Sequence, residues 1–173
     1  MVRTVTLVNE TGTPLGEAGL LAAHTGKGQL HRAFSVYVFR RKREELLIQR
    51  RSDKKLLWPL IWANTCCSHP YKDESPTDAG ERRLQEELGF SCALTPHSDF
   101  VYRAEDPGRG VEHEYVTILI GDVDQATVKP NADEVAQWQW INMDELHEDM
   151  HNRPDLYAPW FHCGLAKIFP AGE

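Results

Sequence analysis

The chain has 173 residues, a length typical of one domain that buries a full apolar core. Its formal net charge of −7 argues against a general nucleic-acid or membrane-surface binder, but allows a local basic pocket for a small anion. Four cysteines occur without a Cys-x-x-Cys pair, which favours a reducing cytoplasm over a disulfide-bonded fold. The sequence shows no signal-peptide core and no apolar run long enough to span a bilayer.

The first third of the chain reads as short strands. We predict a strand at residues 5–8, whereas the apolar run 18–23 is ambiguous between strand and helix. The β-branched and aromatic residues at 33–39 predict a buried strand. We expect it to form a hairpin with a second strand at 46–50, and we expect 58–62 to be irregular.

One stretch, residues 64–70, carries two adjacent thiols and an imidazole. If the backbone is extended here, the side chains of Cys67 and His69 leave on the same side, because strand side chains alternate. A thiol and a possible metal ligand would then share one pocket wall.

A helix behind this stretch is marked by its end residues. Ser75 is a good N-cap, Pro76 suits the first turn, and Asp78 occupies the third helical position. Gly89 stands where helices commonly end. These signals predict a helix from 76 to 88.

The second half of the chain adds strands and two helices. We predict strands at 100–103, 112–122 and 135–141, a helix starting at 142–145, and a short helix in the tail from Pro154. Strands on both sides of a central helix predict a mixed α/β domain with helices on a sheet.

Histidines and glutamates in two other places could form a metal site. His24 and His31 are separated by a glycine-containing loop and could converge, although a lone histidine is more often a surface or core residue. Glu112 and Glu114 alternate on a predicted strand and point the same way, where they repel unless a cation or a shared proton holds them. The pair is therefore either a metal site or a solvated edge. Three imidazoles with two carboxylates would suit zinc, manganese or iron.

Two groups of charged residues also have more than one interpretation. Arg83 and Glu87 are neighbours on one helix face. Taken alone, their spacing favours an ordinary surface ion pair. The alternative is a binding role, in which Arg83 faces an anion and Glu87 faces a cation. A basic cluster before the thiols is either a solvated turn or a phosphate clamp. It consists of Arg50, Arg51, Lys54 and Lys55.

The segment Ser68-x5-Glu74-x7-Arg82-Arg83-Leu84-Gln85-Glu86-Glu87-Leu88-Gly89-Phe90 resembles the Nudix box, with two departures. Ser68 replaces the first glycine of the box, and Arg83 replaces a glutamate that follows the arginine. Diphosphate hydrolases of that family generally use this glutamate in their metal cluster, so its loss argues against hydrolysis.

Over residues 20 to 160 the chain resembles the type 1 isopentenyl-diphosphate isomerases, an offshoot of the Nudix fold. The matching stretches are 22–25, 30–35, 64–70, 102–104 and 112–115. The resemblance implies one α/β domain over residues 1–173, with a mixed β-sheet flanked by helices. It also implies a cytoplasmic enzyme of isoprenoid biosynthesis that interconverts isopentenyl and dimethylallyl diphosphate, with no nucleic-acid or membrane partner. We expect a monomer or a weak homo-oligomer.

The resemblance assigns roles to individual residues. The family's ligands for a divalent metal (manganese, zinc or magnesium) match His24, His31, His69, Glu112 and Glu114. Cys67 and Glu114 match the catalytic residues, and Tyr102 matches the tyrosine that supports the glutamate.

Further matches concern the substrate. Positions that hold the diphosphate match Arg51, Lys55 and Arg83, and an aromatic near the hydrocarbon end matches Trp160. Glu87 and the backbone carbonyl of Cys67 match ligands of a Mg²⁺ ion that bridges to the diphosphate.

One departure concerns the diphosphate. Members often carry a lysine a few residues before the first histidine, where this chain has Leu20 and Leu21. Either the diphosphate is held less tightly or Lys27 substitutes, and the sequence leaves both open. Two rival functions stay open as well: a nucleoside-diphosphate-type Nudix hydrolase, and a non-catalytic domain with structural zinc.

Overall fold

A mixed β-sheet runs through the protein. The computed structural model describes residues 3–170. In this range the sheet has nine strands: β1 (Thr4–Val8), β2 (Pro14–Gly19), β3 (His31–Arg40), β4 (Glu45–Arg51), β5 (Trp62–Ala63), β6 (Cys66–Ser68), β7 (Thr95–Asp106), β8 (Gly110–Asp122) and β9 (Val135–Asn142). The helices are α1 (Leu20–Ala23), α2 (Pro76–Leu88), α3 (Met143–Asn152) and α4 (Pro159–Ile168), and a 3-10 turn, Pro154–Leu156, precedes α4.

Strand β3 lies at the centre and sets the register of the site. It pairs in parallel with β8, where His31 stands opposite Glu114, and antiparallel with β6, where Ser35 stands opposite Cys67. Directly opposed residues share a face, and so do residues an even number apart on one strand. His31, Glu114 and Cys67 therefore leave the sheet on the same face.

The two faces of the sheet carry two separate cores. Alternate residues of β3, such as Tyr37 and Phe39, pack against Phe161 of α4 on one face. The intervening residues, such as Phe34 and Val36, pack against α2 on the other face. Successive side chains of a strand point to opposite faces, so a strand buried on both sides, as predicted for 33–39, contributes to both cores. The sheet thus forms the middle layer between helices on its two faces.

Helix α2 begins and ends where its caps predict. The Ser75 hydroxyl accepts a hydrogen bond from the backbone N–H of Asp78 at 3.1 Å. Gly89 adopts a left-handed conformation with φ 71°, which glycine tolerates without strain. A side chain at Gly80 would come within 2.7 Å of Leu119, so glycine lets the helix lie close to β8.

Most of the predicted strands are confirmed, with three changes in extent. The ambiguous run 18–23 contains both elements, the end of β2 and then α1. The hairpin of β3 and β4 is confirmed but has only two opposed pairs. The strand expected at 100–103 is much longer, because β7 pairs with β8 from Thr95 to Asp106.

The α/β fold class is also confirmed. The 1–173 domain limits stay a prediction, since both ends fall outside the described residues. Within residues 3–170, none of the helices has the length and apolar character needed to cross a bilayer.

Candidate active site

Three imidazoles and one carboxylate converge from four separate segments. The ligand atoms of His24, His31, His69 and Glu114 all lie within 4.8 Å of one another. The Nε2 atoms of His31 and His69 are 3.1 Å apart, and Nε2 of His69 is 2.9 Å from Oε1 of Glu114. The convergence predicted for the three histidines is thus present.

The outer nitrogens of two of these rings fix their orientation. Nδ1 of His24 donates to the backbone carbonyl of Leu20 at 2.7 Å, and Nδ1 of His31 donates to the carbonyl of Gln29 at 2.7 Å. A ring that donates from Nδ1 presents the lone pair of Nε2, the arrangement of a metal-binding histidine. Lone pairs that face each other and a carboxylate repel unless a cation lies between them. The donor set therefore fits a divalent metal ion.

The two glutamates of β8 are buried and share a tyrosine. The Tyr102 hydroxyl donates to Glu112 and lies 3.0 Å from Oε2 of Glu114. Burial and the charge of Glu114 raise the pKa of Glu112 to about 8. Because both glutamates are buried, the solvated-edge alternative is excluded. Glu112 is not one of the four residues whose ligand atoms converge, so its role as a metal ligand stays a prediction.

The two adjacent cysteines point to opposite faces of the sheet. Cys66 is buried in the core beneath α2, whereas Cys67 lines the cavity described below. Sγ of Cys67 donates to Oδ1 of Asn64 across 3.7 Å. Burial raises the pKa of the Cys67 thiol to about 12, against the opposing effect of Arg51. The thiol therefore carries its proton at neutral pH.

The basic residues are held by carbonyls and carboxylates. Arg51 donates to the carbonyls of Trp58 at 3.0 Å and Leu57 at 2.9 Å. Lys55 donates to Glu134 and lies 3.8 Å from Glu87. Arg51 and Lys55 line the cavity and are partly buried, so the solvated-turn interpretation fails for them. Lys54 also lines the cavity but is exposed and pairs with Asp133, and Arg50 is absent from the lining.

The expectation of a surface pair between Arg83 and Glu87 is wrong. The two residues are only 8 % and 1 % exposed, because α2 packs this face across the sheet. Glu87 also accepts a 2.8 Å hydrogen bond from Gln49. Arg83 bonds Glu87 and lies 3.1 Å from Glu134, while its Nε is buried without a partner among the described residues.

One cavity of about 300 Å³ joins the imidazoles to the basic residues. Of the predicted site residues it is lined by His24, Arg51, Lys55, Cys67, His69, Arg83, Glu112, Glu114 and Trp160. Three further ones, His31, Glu87 and Tyr102, lie behind its wall, bonded to residues that line it. Cys67 and Glu114 therefore share one cavity, as the predicted chemistry requires.

Trp160 contributes to the apolar part of this cavity, together with Leu20, Leu56 and Leu57. It is 2 % exposed, and its Nε1 donates to Oδ1 of Asn64 at 3.0 Å. The guanidinium carbon of Arg51 lies 5.2 Å from its ring centre, a distance at which a cation is attracted to an aromatic face.

Several site residues were not anticipated from the sequence. Asn64 joins Cys67 to Trp160, and its only signal was that it opens the 64–70 stretch. Glu134 bonds the basic residues from a loop without a distinctive pattern. Arg3 and Leu20 line the cavity, whereas Lys27, the suggested substitute for the missing lysine, is absent from its lining.

Solved structures of low sequence identity share the fold. A crystal structure from Deinococcus radiodurans is 19 % identical with a TM-score of 0.69, covering 87 % of this chain and 90 % of that one. An Ap4A hydrolase from C. elegans is 17 % identical with a TM-score of 0.57, covering 79 % of this chain and 93 % of the other.

Sequence comparisons identify the family. The NUDIX domain matches residues 29–161. An isopentenyl-diphosphate Delta-isomerase of Burkholderia multivorans is 42 % identical over 167 residues, 96 % of this chain and 93 % of that protein. Another, of Nocardia farcinica, is 43 % identical over 157 residues, 90 % of this chain and 89 % of that protein. The chain therefore belongs to the NUDIX family and, within it, to the isopentenyl-diphosphate Delta-isomerases.

Proposed function

We propose that this protein interconverts isopentenyl diphosphate and dimethylallyl diphosphate. The reaction adds a proton at C4 of the alkene and removes one from C2, so that the double bond moves from C3–C4 to C2–C3. The observation that carries the proposal is that Cys67 and Glu114 line one cavity together with the basic residues.

The basic residues bind the substrate diphosphate in this proposal. Arg51 and Arg83 supply forked N–H donors and Lys55 supplies a point charge. Glu87 and the backbone carbonyl of Cys67 would hold a Mg²⁺ ion bound to the diphosphate. Holding the diphosphate orients a hydrocarbon that has no polar group of its own.

The imidazoles and the glutamates of β8 would hold a second divalent metal, manganese, zinc or magnesium. Its ligands would be His24, His31, His69, Glu112 and Glu114. Such an ion stabilises the conjugate base of a bound carboxylic acid and so makes that acid stronger.

Glu114 is the group that delivers the proton to C4, and Tyr102 supports it through their hydrogen bond. An unactivated alkene is a very poor base, so this acid must be strong. Protonation at C4 leaves a tertiary cation at C3. The ring of Trp160 faces this charge and stabilises it by about 2 kcal/mol in a dry site.

Cys67 acts at C2 from the opposite side. In the forward direction its sulfur takes the C2 proton, and in the reverse direction the thiol returns it. The neutral thiol is the form needed for the reverse direction, so a forward turnover starts with loss of that proton to solvent. Arg51 favours the thiolate by its charge.

The test is turnover in deuterated water. Purified protein, magnesium and isopentenyl diphosphate should give dimethylallyl diphosphate that carries deuterium. Glu114→Gln should remove turnover while the protein stays folded, whereas the exposed control Glu105→Gln should not. Release of phosphate without isomerisation would instead indicate a hydrolase and overturn the proposal.

We further propose that the enzyme acts in the cytoplasm on this small-molecule substrate alone, as a monomer or a weak homo-oligomer. The absence of disulfides among the described residues supports a reducing compartment. Sedimentation of the purified protein tests its oligomeric state.

A further inference from the structure

A fifth cation lies on the same cavity as Arg51, Lys54, Lys55 and Arg83. Arg3, which directly precedes β1, lines the cavity. Its Nη2 donates to the hydroxyl of Ser68 at 2.7 Å, and Ser68 directly follows Cys67. A residue near the start of the chain is thus joined to the strand that carries the thiol.

Arg3 differs from the other basic residues of the cavity in its partners. Lys55 and Arg83 are balanced by Glu87 and Glu134. Lys54 pairs with Asp133, and Arg51 is held by two carbonyls. Within residues 3–170, no carboxylate oxygen lies within 4.0 Å of the Arg3 guanidinium. Its one side-chain hydrogen bond there goes to a neutral hydroxyl. The remaining N–H groups and the charge of Arg3 are available to a ligand.

The backbone fixes where Arg3 stands. Its carbonyl accepts a 2.8 Å hydrogen bond from the N–H of Leu20, and the next residue, Thr4, pairs with Gly19 in the β1–β2 ladder. Leu20 also lines the cavity but offers no charge. The cation at this part of the wall therefore comes from Arg3, beside Leu20, and not from Lys27.

The electrostatics of the cavity agree with an anion at this place. Arg3 is exposed overall, but partial burial of its guanidinium at the cavity lowers its pKa. The positive charge of Arg83 lowers this pKa further, against the opposing effects of Tyr71 and Glu134. Like charges held near one cavity repel each other, and a polyanion between them relieves that repulsion while accepting their N–H groups.

We propose that Arg3 binds the diphosphate of the substrate together with Arg51, Lys55 and Arg83. This inference rests on the proposed function for the identity of the substrate, but not for the presence of an anion site. Arg3 is a binding residue that acts on affinity, so its loss should raise KM more than it lowers kcat.

The experiment uses inorganic pyrophosphate, with magnesium, as a probe that needs no turnover. Calorimetry should show that Arg3→Gln weakens pyrophosphate binding about tenfold, the size expected for one lost charge-assisted contact. Arg3→Lys keeps the charge and should recover most of the affinity. Arg153→Gln removes the same charge from an exposed residue outside the cavity lining and should leave the affinity unchanged.

The outcomes separate this inference from the proposed function. If Arg3→Gln binds pyrophosphate as the wild type does, with an unchanged KM and an intact fold by circular dichroism, the role of Arg3 is wrong even when the enzyme isomerises normally. If Arg3→Gln loses affinity but the wild type does not isomerise, the anion site stands and the proposed function fails. Failure of the wild type to bind pyrophosphate would overturn the inference.

Discussion

The two ends of the cavity are built in opposite ways. On the imidazole wall, formed by His24, His31, His69 and Glu114, donors point outward to carbonyls and lone pairs point inward. On the basic wall, formed by Arg3, Arg51, Lys55 and Arg83, four cationic side chains line the cavity, and Glu87 and Glu134 balance only Lys55 and Arg83. One wall is therefore suited to a cation and the other to an anion.

The largest expected effect comes from the thiol that stands between the two walls. Cys67→Ala should lower kcat for isomerisation by about 10²–10⁴-fold, the usual contribution of one proton-transfer group. Pyrophosphate affinity and the melting temperature should change little, because neither wall loses a charge. The exposed residue Cys163 provides the control, since Cys163→Ala removes a thiol outside the cavity lining. Wild-type-like turnover by Cys67→Ala would remove this residue from the mechanism.

Replacing one proposed metal ligand on the imidazole wall should have the next largest effect. His69→Ala should weaken zinc or manganese binding, measured by competition with a chelator, by at least about 100-fold, because loss of a direct ligand costs more than loss of a residue that only orients one. Pyrophosphate binding measured without that metal should stay the same, since His69 belongs to the other wall. His97→Ala alters an exposed histidine and serves as the control. Unchanged metal affinity in His69→Ala would refute the convergent site.

A change on the basic wall should have the reverse pattern. Arg83→Ala should raise KM for isopentenyl diphosphate about tenfold, because one forked donor to the diphosphate is lost. Its metal affinity at the imidazole wall should match the wild type. The neighbouring control Arg82→Ala removes an arginine that bonds Glu74 and is absent from the cavity lining. An unchanged KM in Arg83→Ala would argue against a diphosphate clamp.

The smallest effect concerns the acid that balances the basic wall. Burial opposes ionisation of Glu134, but Lys55 and Arg83 keep its pKa below the usual value of 4.5. A carboxylate with a lowered folded pKa stabilises the protein above the unfolded pKa, and this contribution is lost as pH falls through the folded value. Glu134→Gln should therefore lower the free energy of unfolding by about 1–3 kcal/mol at pH 7. The difference from the wild type should shrink below pH 4.5 in urea titrations.

The pH dependence of the Glu134→Gln deficit tests whether the ion pairs of Glu134 stabilise the fold. A Glu134→Gln deficit that is the same at pH 7 and at pH 3 would show that the ion pairs of Glu134 with Lys55 and Arg83 do not stabilise the fold. The matched variant Glu105→Gln, on an exposed part of β7, should show no such pH dependence.

Local features of the sequence determined the elements and much of the site. Ser75, Pro76 and Gly89 predicted both ends of α2, because caps satisfy backbone groups within a few residues. Alternation along the extended stretch placed Cys67 and His69 on one cavity. The imidazole cluster was predicted by the resemblance, and the spacing of its members alone left it open.

The tertiary structure decided what depends on distant partners. Whether Arg83 and Glu87 form a surface pair or a buried one depends on which face of α2 meets the sheet, and the spacing of the two residues is the same in both cases. The parallel pairing of β3 with β8, which puts His31 opposite Glu114, joins segments separated by nearly half of the chain. Arg3 reaches the cavity only because β1 pairs with β2 beside Leu20. Periodicity and capping act over a few residues, so the sequence shows them directly, whereas burial and charge balance arise only when remote segments pack together.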